Sequence, residues 1–174
     1  GEVDVSWQSF TQDEGPRADT SLEGLAKLRA VFAARGSVTA GNASGINDGA
    51  AAIVLATEAA AARAGLAPLA RIIGYAHAGV RPDVMGIGPI PAVQALFKRT
   101  GVSAADFDVI ESNEAFAAQA LAVTRALGLD PTRVNPNGGA IALGHPVGAT
   151  GAIIPITALS ELERIGGSKA LVTM

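Results

Sequence analysis

From residue 49 onward, short apolar runs alternate with amphipathic stretches that stop at glycine, and few folds accept that alternation. Ala50-Ala51-Ala52-Ile53-Val54-Leu55 is a continuous apolar run of the length expected for a buried strand. Residues 58–64 are alanine-rich and read as a helix with Gly65 as its C-cap. A second strand is predicted over 69–76. A helix follows over 89–99, with Pro91 near its start and Val93, Leu96 and Phe97 on its inner face. Residues 107–111 read as a third strand, followed by a helix from Glu114 that carries Phe116, Ala120, Val123 and Leu127 on one face and ends at Gly128. A glycine-rich loop over 135–150 leads into an apolar helical stretch over 149–165. Pro155 within it would cost about 3 kcal/mol in a regular helix, which predicts a kink or a later start. Gly166-Gly167 stops that helix, and residues 169–174 form a last strand. Strands alternating with helices specify an α/β layered fold.

Residues 1–46 differ in character: polar, turn-rich and weakly periodic. One short helix is predicted there, capped within Asp19-Thr20-Ser21 and running through Leu22, Leu25, Leu28 and Phe32. The change divides the chain into segments 1–46 and 47–174. With 174 residues, 49% of them hydrophobic, and a mean hydropathy of +0.34, the chain can bury a real core and is not a disordered polymer. Only 4% of residues are aromatic and the net charge is −3, which argues against nucleic-acid binding. There is no cysteine, which excludes disulfides, cysteine-ligated zinc and iron–sulfur clusters within these residues. His77 and His145 alone give a histidine metal site little to build on. No apolar stretch approaches a membrane span and no leader pattern opens the chain, so the expectation is a cytoplasmic protein without membrane contact. Gly1-Glu2-Val3-Asp4 reads as a cut through a longer sequence or a tag remnant.

Three loops hold the candidate chemistry. Asn-Ala-Ser-Gly-Ile-Asn-Asp-Gly at 42–49 joins the polar segment to the first apolar run. Asn-Glu-Ala-Phe at 113–116 follows the third predicted strand, at the strand end where α/β sheets bind ligands. The glycine-rich loop over 137–151 carries one ionisable side chain, His145. Gly144 and Pro146 on either side hold its backbone extended and present the imidazole, which can then act as general base or polarise an oxyanion. The plainer reading is a loop histidine bonded to a carbonyl. Asn113 is either a helix N-cap or an amide that orients a water or donates to a developing oxyanion. Ser44, in a turn between Ala43 and Gly45, reads more readily as an ordinary turn hydroxyl than as a ligand contact. A P-loop is excluded, since no Gly-Lys-Ser/Thr follows the glycines.

Taken in order, Asn-Ala-Ser-Gly-Ile-Asn-Asp-Gly (42–49), Met-Gly-Ile-Gly-Pro (85–89), Asn-Glu-Ala-Phe-Ala (113–117) and Asn-Gly-Gly-Ala-Ile-Ala-Leu-Gly-His-Pro-Val-Gly (137–148) resemble the thiolase family. Within it, the resemblance is to bacterial acetyl-CoA acetyltransferases, or β-ketothiolases. It runs from about residue 13 to 174 and covers less than half of a family member. It implies the layered α-β-α-β-α thiolase fold, of which this chain supplies the carboxy-terminal half. Residues 1–46 would be the tail of the loop region that binds coenzyme A, and residues 47–174 the carboxy-terminal domain, truncated before its last strand.

By the same resemblance, His145 matches the histidine that activates the nucleophilic cysteine and helps stabilise the thioester oxygen. Asn113 matches the asparagine that holds a water beside it. Ser44, with Ala40 and Ala43, matches the turn along the pantetheine arm. Arg17 stands where family members keep a basic residue for the nucleotide end, and Met85 and Phe116 match the lining of the acyl and pantetheine pocket. The implied reaction is reversible Claisen condensation of acetyl-CoA and thiolysis of 3-oxoacyl-CoA. Coenzyme A thioesters are then substrates, no metal or other cofactor is needed, and the parent is a homodimer or homotetramer. Two departures stand out. Thiolases use two cysteines, one to take the acyl group and one to exchange the α-proton, and this chain has neither. The first belongs to an absent amino-terminal half and the second to a motif that would begin where Leu171-Val-Thr-Met174 ends, so the chain alone is expected to be inactive. The rival from another class is a non-enzymatic module that binds coenzyme A or lipid on the same scaffold.

Overall fold

The structure is a computed structural model, and it describes residues 3–13 and 15–174. Gly1, Glu2 and Glu14, which fall in the 1–46 segment, lie outside the described residues. At its centre two short parallel strands pair, β1 (Val109–Ser112) and β2 (Ala170–Thr173), in the register Val109↔Ala170 through Ser112↔Thr173. Every residue of β1 is buried, as expected of a parallel strand covered on both faces. On its other edge β1 is paired by a short extended passage: Ile110 N–H donates to Arg133 O at 2.9 Å, and Asn135 N–H to Ile110 O at 2.8 Å. Asp108 organises the entry to β2 by accepting from the backbone N–H of Ser168 (2.7 Å) and Lys169 (3.1 Å).

Parallel strands need a long crossover, and here it supplies three helices: α4 (Ala117–Leu127), α5 (Ala140–Leu143) and α6 (Thr150–Ile165). Helix α6 packs against both strands. Helix α3 (Pro89–Thr100) packs on α4. The core joins Val93 of α3 to Phe107, Ile110, Leu129 and Leu171, with Leu96, Phe97 and Val134 against it. Phe97 and Phe107 stack with ring centroids 6.0 Å apart. Two short helices, α1 (Leu22–Ala26) and α2 (Glu58–Arg63), lie earlier in the chain. Among the described residues no helix is long and apolar enough to cross a membrane, and no group of three acidic or histidine side chains could hold a metal.

Several elements differ from the sequence reading, each for a physical reason. Residues 50–55 and 69–76 form no strand. A strand exists only where a ladder does, and among the described residues these segments find no partner: Val54 is 87% and Leu69 91% exposed. Helix α1 stops at Ala26 instead of reaching Phe32. It is capped by Ser21, whose side chain accepts from Gly24 N–H, but it buries no residue, so nothing extends it past a costly nucleus. Helix α4 begins at Ala117 rather than Glu114, because residues 115–117 pair with 42–44 in extended form. Helix α6 starts at Thr150 and runs through Pro155 without interruption, so the later start is not seen. Pro155 sits in the second turn, where its absent N–H removes a single ladder bond. The stops at Gly128 and Gly166 are as predicted.

Ile53, Val54, Leu55, Leu69, Ile72 and Ile73 together expose a large apolar surface to water. We expect the chain to self-associate, seen in sedimentation as a concentration-dependent mass. A single monomeric species over a wide concentration range would contradict this.

Candidate active site

The site is assembled at the end of β1. Beyond Ser112 the chain would be free to turn away, but Asn135 clamps it. The Asn135 side chain accepts from Ser112 N–H and donates to Ser112 O, both at 2.8 Å. Asn113 N–H then donates to Thr173 O at 2.9 Å, which carries the β1–β2 ladder one residue further. Asn113 is buried and is no N-cap: helix α4 is capped at Phe116, with no side-chain cap bond. Its amide is thereby free for the next loop, and Asn113 Nδ2 lies 3.4 Å from His145 Nε2.

His145 is held on both sides of its ring rather than simply presented. Nδ1 lies 2.8 Å from the hydroxyl of Thr150, which is buried at the first turn of α6. His145 N–H is shared between Gly45 O and Asn47 Oδ1, each at 3.3 Å. Gly144 makes this possible. Its φ of +98° and ψ of +163° belong to a region essentially restricted to glycine. A Cβ there would lie 2.6 Å from Asn47 Oδ1.

The loop at 42–49 meets both others. Ser44 N–H donates to Ala115 O at 3.0 Å, Ala117 N–H donates to Asn42 O at 2.9 Å, and Ala43 bridges Phe116 antiparallel. Asn42 also fixes the turn that holds Ala40, accepting from Thr39 N–H at 2.8 Å. The structure thus brings together Ala43, Ser44, Asn113, Phe116 and His145. Phe116 is half-buried with its ring edge-on to Phe32. Met85 is 71% exposed on a 3₁₀ segment (Pro82–Ile87) that packs against α4. Arg17 lies in an exposed turn, and among the described residues no hydrogen bond joins it to Ser44, Asn113 or His145.

Behind the loop sit three carboxylates that the sequence reading did not single out. Glu161 of α6 is buried and accepts from Asn137 Nδ2 at 2.9 Å and from Arg164 at 2.7 and 2.6 Å. The Arg164 guanidinium, then the Asn137 amide, lower its pKa to about 2. Glu114 accepts from Ile141 N–H at 3.3 Å. Glu111 on β1 is 3% exposed, and its Oε1 has no partner. Burial first, then the charges of Glu161 and Glu114, push its pKa up to about 7. Asn137 and Glu161 therefore pin the start of the loop, while Glu111 is best accommodated as a neutral acid.

Comparison with known proteins decides the family. Residues 66–174 match the thiolase C-terminal domain and residues 2–59 the thiolase N-terminal domain. The chain belongs to the thiolase family. It is 59% identical over 167 residues to the β-ketothiolase BktB of Cupriavidus necator, covering 95% of this chain and 42% of that protein. The crystal structure of the Bacillus anthracis acetyl-CoA acetyltransferase superposes with a TM-score of 0.89 at 52% identity, over 94% of this chain and 41% of that one. The human mitochondrial 3-ketoacyl-CoA thiolase in complex with CoA gives 0.81 at 45% identity, over 95% and 42%. The fold is therefore the thiolase fold, and this thiolase chain spans about two-fifths of the length of the relatives it matches.

Two predictions follow from this packing. A methyl at Gly139 would collide with the Glu114 carboxylate and stand 2.8 Å from Asn135 Nδ2. Since Asn135 is fixed on Ser112, Gly139→Ala should destabilise the protein by about 1–3 kcal/mol in urea denaturation. An unchanged midpoint would contradict that. Glu111 holds its proton in the folded state up to about pH 7, whereas the unfolded chain releases it near its ordinary 4.5. The folded state binds the extra proton in that window, so stability should fall as pH rises through it, by at most about 1.4 kcal/mol per pH unit. Glu111→Gln should flatten the decline between about pH 4.5 and pH 7, checked by urea midpoints at each pH. A decline of the same size in the variant would assign it to another group.

Proposed function

We propose that this chain carries the histidine–asparagine side of a thiolase active site, in an enzyme that condenses two acetyl-CoA to acetoacetyl-CoA and CoA and cleaves 3-oxoacyl-CoA in the reverse sense. The observation that carries the reading is Asn113 Nδ2 at 3.4 Å from His145 Nε2, at the meeting point of three loops. In this proposal the imidazole takes the proton of an attacking thiol and, with a water held by Asn113, stabilises the oxygen that becomes negative as the thioester carbonyl is attacked. Both groups act on charge that exists only during reaction, so their worth is realised in turnover.

The same reading assigns the remaining site residues. Ser44, Ala40 and Ala43 flank the pantetheine arm, Phe116 and Met85 line the acyl and pantetheine pocket, and Arg17 meets the nucleotide end. The convergence of the 42–49 loop on Ala115–Ala117 supports the first of these assignments. Coenzyme A thioesters serve as substrates, with no further cofactor. A chain without cysteine supplies no thiolate. The nucleophile and the α-carbon acid/base therefore come from an amino-terminal half and a following motif, in a cytoplasmic homodimer or homotetramer. The 174 residues alone are inactive in this reading. The second reading is a module that binds coenzyme A or lipid without chemistry, and cysteines missing from the two expected places of the whole protein would favour it.

In an intact enzyme containing this chain, His145→Ala and Asn113→Ala should each lower kcat by at least about 10²-fold while KM for acetyl-CoA changes far less. Wild-type turnover in the histidine variant would remove His145 from the mechanism. Specific acyl-CoA binding with no turnover in the intact protein would favour the binding module.

A further inference from the structure

The segment His145-Pro-Val-Gly-Ala-Thr150 ends in a second polar side chain, which is buried. Thr150 is 3% exposed, and its Oγ1 lies 2.8 Å from His145 Nδ1 and 3.0 Å from Pro146 O. The direction of hydrogen bonding along this row is fixed from both ends. Asn113 Nδ2 is a donor only, so His145 Nε2, 3.4 Å away, accepts. In the neutral ring Nδ1 must then carry the proton and donate it to Thr150 Oγ1. A hydroxyl has one proton, and with Oγ1 accepting from the ring that proton goes to Pro146 O, which is an acceptor only. The i to i−4 bond from Thr150 to Pro146 is a habitual one for threonine in a helix.

We propose that Thr150 is a positioning residue that selects the Nδ1–H tautomer of His145 and so keeps the basic lone pair at Nε2, on the Asn113 side. No other residue among those described offers Nδ1 an acceptor. Which ring nitrogen is protonated is set by the hydrogen bond that the other atoms permit, so loss of this acceptor releases the choice. A ring carrying Nε2–H would turn its proton toward Asn113 and have no base where the thiol is proposed to approach. That consequence for catalysis rests on the thiolase reading, whereas the tautomer is a property of the folded chain.

The test uses nitrogen-15 histidine labelling and long-range proton–nitrogen NMR, at a pH where both imidazoles are neutral. The protein has two histidines, and His77→Gln, on an exposed irregular segment, assigns the spectrum. In the wild type, Nδ1 of His145 should resonate as a protonated nitrogen and Nε2 as an unprotonated one. Thr150→Val, equal in shape but without the hydroxyl, should reduce the ratio of Nδ1–H to Nε2–H by about fivefold or more, the worth of one ordinary hydrogen bond. Thr150→Ser should restore the wild-type pattern. A wild-type His145 carrying Nε2–H, or averaging between tautomers, overturns the proposal whether or not the valine variant folds. A folded Thr150→Val with an unchanged ratio also overturns it. Because the readout is independent of turnover, its failure is distinct from failure of the thiolase reading, which the His145→Ala kinetics address.

Discussion

Two parallel strands cannot be closed by a tight turn, and the pairing of Val109–Ser112 with Ala170–Thr173 therefore sends the intervening chain out of the sheet and back. The site is built from what that excursion carries. Asn113 leaves the sheet where Thr173 O still holds its N–H, and α6 must return along the same strands to deliver β2. Thr150 opens α6, and His145 lies five residues before it, across the turn from Pro146 to Ala149. The distance between the asparagine and the histidine is thus set by strand register at one end and by helix packing at the other. Gly144 supplies the backbone conformation that lets His145 N–H meet Gly45 O and Asn47 Oδ1, so the loop glycine and these packed elements act together.

The glycine-rich loop is ordered by polar clamps rather than by apolar burial. Asn135 doubles as a mimic of backbone on Ser112, and Asn137 is tied to Glu161, which Arg164 keeps ionised. The opposite solution appears at Glu111, which has no hydrogen-bonded cation among the described residues and whose pKa burial pushes up to about 7. Two carboxylates near each other cannot both be charged cheaply away from water. One is ionised because a guanidinium reaches it, and its neighbour is discouraged from ionising partly for that reason. This division places a pH-sensitive group one strand position from Ser112 and two from Asn113.

How much of this was legible in the sequence follows from which interactions are local. Helices α3, α4 and α6 were readable because their apolar spacing and glycine stops are local signals, and the core residues Val93 and Val123 lie on the expected faces. The three loops were readable as motifs, and the structure brings Ser44, Asn113 and His145 to one place. Residues 50–55 and 69–76 misled because composition records a preference for burial, whereas a strand requires a partner that composition cannot supply. The start of α4 misled for the same reason in reverse: pairing with 42–44 holds Phe116 extended against a helical pattern. Thr150 left only a faint signal, a hydroxyl five residues after the histidine at a helix start. Its meaning depends on the turn formed by Pro146 to Ala149.

The arrangement also bears on how such a site can be divided along a chain. Each contact that orients the imidazole comes from within these residues: Gly45 and Asn47 at its backbone, Asn113 and Thr150 at its ring. The supports of those groups, Asn135, Asn137, Glu161 and the paired strands, are also internal. Preorganised dipoles are effective because they need not rearrange when charge develops. On the thiolase reading proposed above, a base and an amide fixed in this way need a nucleophile brought to Nε2. By contrast the apolar side chains of Val54, Leu55, Leu69, Ile72 and Ile73 are mostly exposed to water. The chain is therefore held by polar contacts around His145 and open at those apolar segments, so the order of the loops and the exposure of the apolar runs have separate physical origins.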